Sequence, residues 1–244
     1  MRNKLWTFGC SFTQGFLWGE FNNARNPMID YYESMGCTFP PAWPEILADK
    51  LNLDVMNKGY SGSSCYKIFD EFCVECENFK KNDVVIVEWT RINRFRAVHG
   101  NGHFPTILPI FDENEPEKHP LPVKSIMEIQ VNRSERPYVE EIYSFQNLID
   151  EICKSFECEI YFWSADNLII NQETLEFKSK RKYLVRESNQ DLTRYLVENY
   201  GATTLDMETN GLIKDGQHYG RDGHKIMADV FYDEIMKYRN NLYE

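Results

Sequence analysis

The segment "DVVIVEW", Asp83–Trp89, constrains this chain more than any other stretch. A strand with one wet face alternates apolar and polar residues. The continuous run Val84, Val85, Ile86, Val87 instead suits a strand buried on both faces, as in a parallel sheet covered by helices on each side. Other segments fit the same plan. "KLWTF" (4–8), "LDVMN" (53–57), "EIYFWS" (159–164) and "ATTLDM" (202–207) read as strands. Helices are expected between them. One is "AWPEILADKLN" (42–52), with Pro44 tolerable in its first turn. A second carries Cys65, Ile68, Phe72, Cys76 and Phe79 on one face, and a third repeats Ile142, Phe145, Leu148, Ile149, Ile152 and Phe156. "NQDLTRYLVENYG" (189–201) closes on Gly201, and a last helix runs from about Asp222. This alternation implies an α/β fold, a three-layer α/β/α sandwich around a central, mainly parallel sheet of about five strands.

With 244 residues, 42% of them hydrophobic, the chain can fill one sizeable core, so residues 1–244 are expected to form a single domain. Two segments break the alternation and read as insertions. They are about 93–137, with five prolines between Pro105 and Pro122, and about 165–185. The formal net charge of −11 disfavours a sequence-independent grip on nucleic acid, which needs a cationic surface. The basic run "KSKRK" (178–182) reads as a solvated face. No run reaches the ~18 apolar residues of a membrane span. The start "MRNKLWTF" has no apolar signal core, and the seven cysteines are an odd number. A cytoplasmic, reduced protein is therefore expected, with no membrane or nucleic-acid partner. "CVEC" (Cys73, Cys76) lacks a second ligand pair, and Cys76 lies on the helix face already described. "HGNGH" (His99, His103) is loop-like and has no spaced carboxylate. Neither a metal nor a cofactor is implied.

Ligands of parallel sheets sit beyond the carboxyl ends of the strands, so the residues following each strand matter most. Three turns there are polar. "FGCSFTQG" presents Ser11 after the first strand, and "NKGYSGSS" (57–64) leaves main-chain N–H groups at a helix start. "DGQHYGRDGH" (215–224) leads into the last helix. Asp215 and His218 are three apart in that turn. The carboxylate can hold the imidazole Nδ1–H and leave Nε2 facing outward. A serine nucleophile needs such a base, because its hydroxyl is almost wholly protonated at neutral pH. His224, six residues beyond His218, reads as a packing or capping residue.

Together these turns resemble the SGNH (GDSL-type) hydrolase family. "FGCSFTQG" is similar to that family's nucleophile block, "FGDSLTxG", and the resemblance makes Ser11 the nucleophile. "VMNKGYSG" resembles the second block, whose last glycine supplies an oxyanion-hole N–H, here Gly62. "DGQHYGRDGH" resembles the D-x-x-H block, which assigns Asp215 and His218 to the triad. The blocks stand in family order from residue 4 to about 235. There are two departures. Cys10 stands where the family has aspartate, a structural position there. "VEWTRINRF" stands where G-x-N-D should follow the central strand. With Glu88 aligned just before that block, Arg91 falls on the asparagine position and Asn93 two steps later. The resemblance then leaves Asn93 or Thr90 to donate to the oxyanion beside the Ser11 N–H, with Arg91 and Asn57 on the substrate side. Asn57 also suits a tie between the first two turns.

The resemblance implies a flavodoxin-like SGNH fold and a cofactor-free esterase that works through an acyl-enzyme. Its substrate would be a small-molecule or glycan ester, for example an O-acetyl group on a carbohydrate. Acyl transfer to a sugar hydroxyl and a non-catalytic binding or structural role on the same fold are the competing expectations.

Overall fold

A computed structural model describes residues 2–15, 41–60, 63–90, 95–99, 102–106, 135–164, 182–184 and 221–240. In chain order these form β1 (Lys4–Gly9), α1 (Ser11–Gln14), α2 (Trp43–Leu51), β2 (Asp54–Gly59) and α3 (Cys65–Glu75). There follow β3 (Val84–Trp89), β4 (Phe95–His99), β5 (Gly102–Thr106), α4 (Glu135–Ser155), β6 (Glu159–Ser164) and α5 (Arg221–Arg239). The expected helix 189–201 and strand 202–207 lie outside the described residues.

Four strands make one parallel sheet in the order β2-β1-β3-β6. β1 pairs with β2 from Lys4↔Asp54 to Gly9↔Gly59, and with β3 from Leu5↔Val84 to Phe8↔Val87. The chain moves one way across the sheet from β1 to β2, then turns back past β1 to β3 and on to β6. A right-handed crossover must change sheet face when its direction reverses. That puts α2 on one face and both α3 and α4 on the other, making an α/β/α sandwich.

The period of two sorts the strand residues accordingly. Leu5, Val84, Ile86, Tyr161 and Trp163 face Trp43 and Leu47 of α2 and Met227, Phe231 and Ile235 of α5. Trp6, Phe8, Val85, Val87, Trp89, Ile160 and Phe162 face Ile68 and Phe72 of α3 and Ile142, Ile149 and Cys153 of α4. Each fully buried Val, Leu, Ile or Phe contributes about 1.5–3 kcal/mol to folding. The uninterrupted run in β3 is thus explained: all six of its residues are buried.

Both segments expected to be insertions carry described structure. Helix α4 begins at Glu135, just inside the first of them, and an antiparallel pair, β4–β5, occupies part of the same segment. The pair runs from Phe95↔Thr106 to His99↔Gly102, so His99 and His103 of "HGNGH" belong to antiparallel strands rather than to a loop. In the second segment, residues 182–184 run alongside β6. Phe162 N donates to Lys182 O at 2.9 Å, Leu184 N donates to Phe162 O at 2.8 Å, and Tyr183 forms a parallel bridge with Phe162. The Tyr183 hydroxyl also meets Gln146 Nε2 at 2.6 Å. That edge of the sheet is thereby capped rather than left open. Among the described residues, no helix is long and apolar enough to cross a membrane.

Candidate active site

The strand order reverses between β1 and β3, and the crevice at such a point is where parallel sheets bind ligands. Ser11 stands at the carboxyl end of β1 and Thr90 directly follows β3. Both are buried.

The turn carrying Ser11 is short because the helix starts at once. Cys10 is still extended (φ −96°, ψ −152°), and its carbonyl accepts from Thr13 N at 3.1 Å and Gln14 N at 2.9 Å. In a helix the N–H groups point back towards the start. The Ser11 N–H therefore points out of α1 at its beginning. Glycine is needed on both strands beneath this helix. A Cβ on Gly9 would strike Thr13 Oγ1 and Glu88 Oε2, and one on Gly59 would strike the main chain of Thr13 and Gln14. Only bare backbone lets α1 lie this close to β1 and β2.

Groups from beyond β2, from α2 and from β3 anchor the turn. Gly9 O accepts from Tyr60 N, just past β2, at 3.0 Å. Phe12 O accepts from the indole of Trp43, in α2, at 3.0 Å. From β3 comes Glu88, a fully buried carboxylate. Its Oε2 accepts from Cys10 N at 2.9 Å and from the Thr13 hydroxyl at 2.5 Å, and its Oε1 accepts from the Cys10 thiol at 2.8 Å. The Ser11 hydroxyl lies 3.9 Å from Cys10 Sγ.

Asn57, on β2, fills the linking role. Its Nδ2 donates to Thr13 O at 3.0 Å, and its Oδ1 accepts from Gly59 N at 3.0 Å and from the Thr7 hydroxyl at 3.3 Å. The side chain thus joins the first turn to the second within the protein. Thr90 O accepts from the Cys65 thiol at 3.4 Å, tying the end of β3 to the start of α3. Ser64 caps α3 by accepting from Lys67 N at 3.3 Å. His224 is buried, and its Nδ1 accepts from Trp43 N at 3.3 Å. That imidazole caps the first turn of α2 from α5. Gly62, Arg91, Asn93, Asp215 and His218 lie outside the described residues. Among the described residues, no group of three or more His, Cys, Asp and Glu side chains is arranged to hold a metal.

Glu88 and Thr13 are the site residues that the sequence reading passed over. A signal for Glu88 was present. Period two puts it on the same face as Val84 and Ile86, where a charge has no reason to be unless it is paired.

No protein-family model matches the sequence, and no curated protein does. Solved structures similar to this chain include the lipase Lip_vut3 from a goat rumen metagenome (13% identity, 95% of this chain and 97% of that one, TM-score 0.48). A GDSL-like lipase from Bacteroides thetaiotaomicron is 11% identical over 96% of this chain and 88% of that one, with a TM-score of 0.44. AlinE4, an SGNH-hydrolase family esterase, is 11% identical over 97% and 96%, with a TM-score of 0.39. At such values what the site does has to be read from this chain's own residues, and these hold a serine at the carboxyl edge of a parallel α/β sheet.

Proposed function

We propose that this protein is a serine-dependent ester hydrolase of the SGNH type. The observation that carries the reading is the placement of Ser11. It heads α1 at the strand-order reversal, on a turn held from β2, β3 and α2 at once. A serine in an ordinary surface turn has no need of such anchoring.

In this reading Ser11 Oγ attacks the ester carbonyl while His218 Nε2 takes its proton and Asp215 holds the imidazole. The Ser11 and Gly62 N–H groups, with Thr90 or Asn93, receive the tetrahedral oxyanion. Arg91 lines the substrate side, where its planar fork suits an anionic or polyhydroxylated group. His218 returns its proton to the leaving alkoxide, and water then hydrolyses the acyl-enzyme. No cofactor takes part. A short acyl group, such as acetyl on a carbohydrate, is the substrate class proposed.

A fluorophosphonate probe tests the nucleophile without knowledge of the natural substrate. The wild-type protein should be labelled, and should hydrolyse p-nitrophenyl acetate. Ser11→Ala should abolish labelling and lower kcat by about 10⁴-fold or more, with its melting temperature nearly unchanged. Equal labelling of the two proteins would overturn the assignment. An inert wild-type protein would instead favour a binding role for the fold.

A further inference from the structure

The Ser11–His218–Asp215 scheme leaves the buried acid beside the Ser11 turn, Glu88, unused. We infer that Glu88 is a positioning residue for Ser11, an inference that rests on Ser11 being the nucleophile. All three donors described for Glu88 come from the residues flanking that serine. Cys10, immediately before it, gives a main-chain N–H and a thiol, and Thr13, two residues after it, gives a hydroxyl. Both Glu88 oxygens act as acceptors here, so one group can hold both ends of the turn.

The frame behind Glu88 is an interior strand of the sheet. β3 is paired on both sides, with β1 and with β6, so the carboxylate cannot drift as a loop residue could. The Cys10 thiol passes the constraint on. Its proton goes to Glu88 Oε1 at 2.8 Å, which leaves the sulfur lone pairs towards the Ser11 hydroxyl, 3.9 Å away. Little slack exists, because a Cβ at Gly9 would already meet both Glu88 and Thr13. The carboxylate therefore fixes where Ser11 stands and biases which way its hydroxyl turns. A purely stabilising role would show in the melting temperature and nowhere else.

The test uses the full chain below the melting point of every variant, with folding followed by circular dichroism. Labelling rates with the fluorophosphonate, and kcat and KM for p-nitrophenyl acetate, are compared for wild type and Glu88→Gln. The amide is isosteric but brings a donor where the carboxylate only accepted. Labelling and kcat should both fall by about tenfold or more, the scale expected for sub-ångström displacement of a reacting group, with KM unchanged. A folded Glu88→Gln that labels at the wild-type rate overturns the inference and leaves the nucleophile reading standing. A wild-type protein that neither labels nor turns over removes the nucleophile reading, and this inference with it. Should Glu88→Gln fail to fold, Cys10→Ser and Cys10→Ala decide instead, since both keep the carboxylate. Serine preserves the donor and should label within about twofold of wild type, while alanine should be several-fold slower. Equal rates for these two would overturn the inference.

Discussion

The strand Val84–Trp89 has a fully buried carboxylate towards each end, and the two are satisfied by different kinds of partner. Asp83, just before the strand, accepts from Lys4 N at 2.8 Å, from the Trp6 indole at 2.9 Å and from Lys80 N at 3.1 Å. Glu88 accepts from a main-chain N–H, a thiol and a hydroxyl on the Ser11 turn. Each accepts three of the described hydrogen bonds: Asp83 takes two from β1 and one from Lys80 ahead of β3, whereas Glu88 takes all three from the turn that follows β1. At the amino edge the donors are amides and an indole belonging to the strand and its approach, so the acid can only secure the sheet. At the carboxyl edge the donors belong to Cys10, the N-cap, and Thr13, the third residue, of the four-residue helix that begins with Ser11, so the same number of bonds sets the position of a reactive hydroxyl. The difference lies in which edge of the sheet the acid occupies, because parallel strands deliver their loops and their chemistry to one edge only.

Removing the amino-edge acid is the largest of the changes that test this contrast. Asp83→Ala leaves a buried indole N–H and two main-chain N–H groups without their acceptor. An uncompensated network of this kind costs about 3 kcal/mol, which for a chain of this size lowers the melting temperature by on the order of 10 °C. Fluorophosphonate labelling per folded molecule should stay at the wild-type rate. A stable but slowly labelled Asp83→Ala would show that the two ends of β3 are not functionally distinct.

How far this contrast was legible in the sequence depends on the distance between partners. The sheet was legible from the run Val84–Val87, because burial on both faces is a property of the strand itself. The place of Ser11 at a strand end was legible for the same local reason. What joins Glu88 to Cys10 and Thr13 spans 78 and 75 positions. Those partners meet only because the chain returns from β2 past β1 and lays β3 on its other side, and no local spacing encodes that. The capping of β6 by residues 182–184 is a second case. Tyr183 sits in a segment with the character of an insertion, and its partner Gln146 is on a helix 37 positions earlier.

Asn57 sharpens the comparison from the neighbouring strand. Its amide and carbonyl are both engaged with protein atoms around the Ser11 turn, yet it is a neutral group and only partly buried. Asn57→Ala should cost about 1–2 kcal/mol, since each lost neutral bond nets roughly 1 kcal/mol and water can reach part of the site. Steady-state kinetics with p-nitrophenyl acetate separate its possible roles. A tie between turns predicts a lower melting temperature and an unchanged KM, whereas direct contact with substrate predicts a raised KM.

The smallest effect is expected at a third acid, Glu45, which lacks what Asp83 and Glu88 have. It lies in the first turn of α2, where the helix N-terminus favours a negative charge. Its nearest side-chain donor is Asn57 Nδ2 at 3.5 Å, and its Oε2 is buried with no hydrogen-bond partner. Burial outweighs the backbone and Asn57 hydrogen bonds and pushes the Glu45 carboxyl above its ordinary range. The folded state therefore holds this proton to higher pH than the unfolded chain does. Stability is complete below the unfolded value of about 4.3 and is lost as pH rises through the raised folded value. Glu45→Gln removes the titration while keeping the shape of the side chain. Its melting temperature should exceed that of the wild type by on the order of 2 °C at pH 7–8, with the gap closing as the pH is lowered below about 4. A gap independent of pH, or a wild type more stable than the variant at neutral pH, would mean that the helix terminus and Asn57 already satisfy the charge. Glu45 would then join Asp83 and Glu88 as a paired acid.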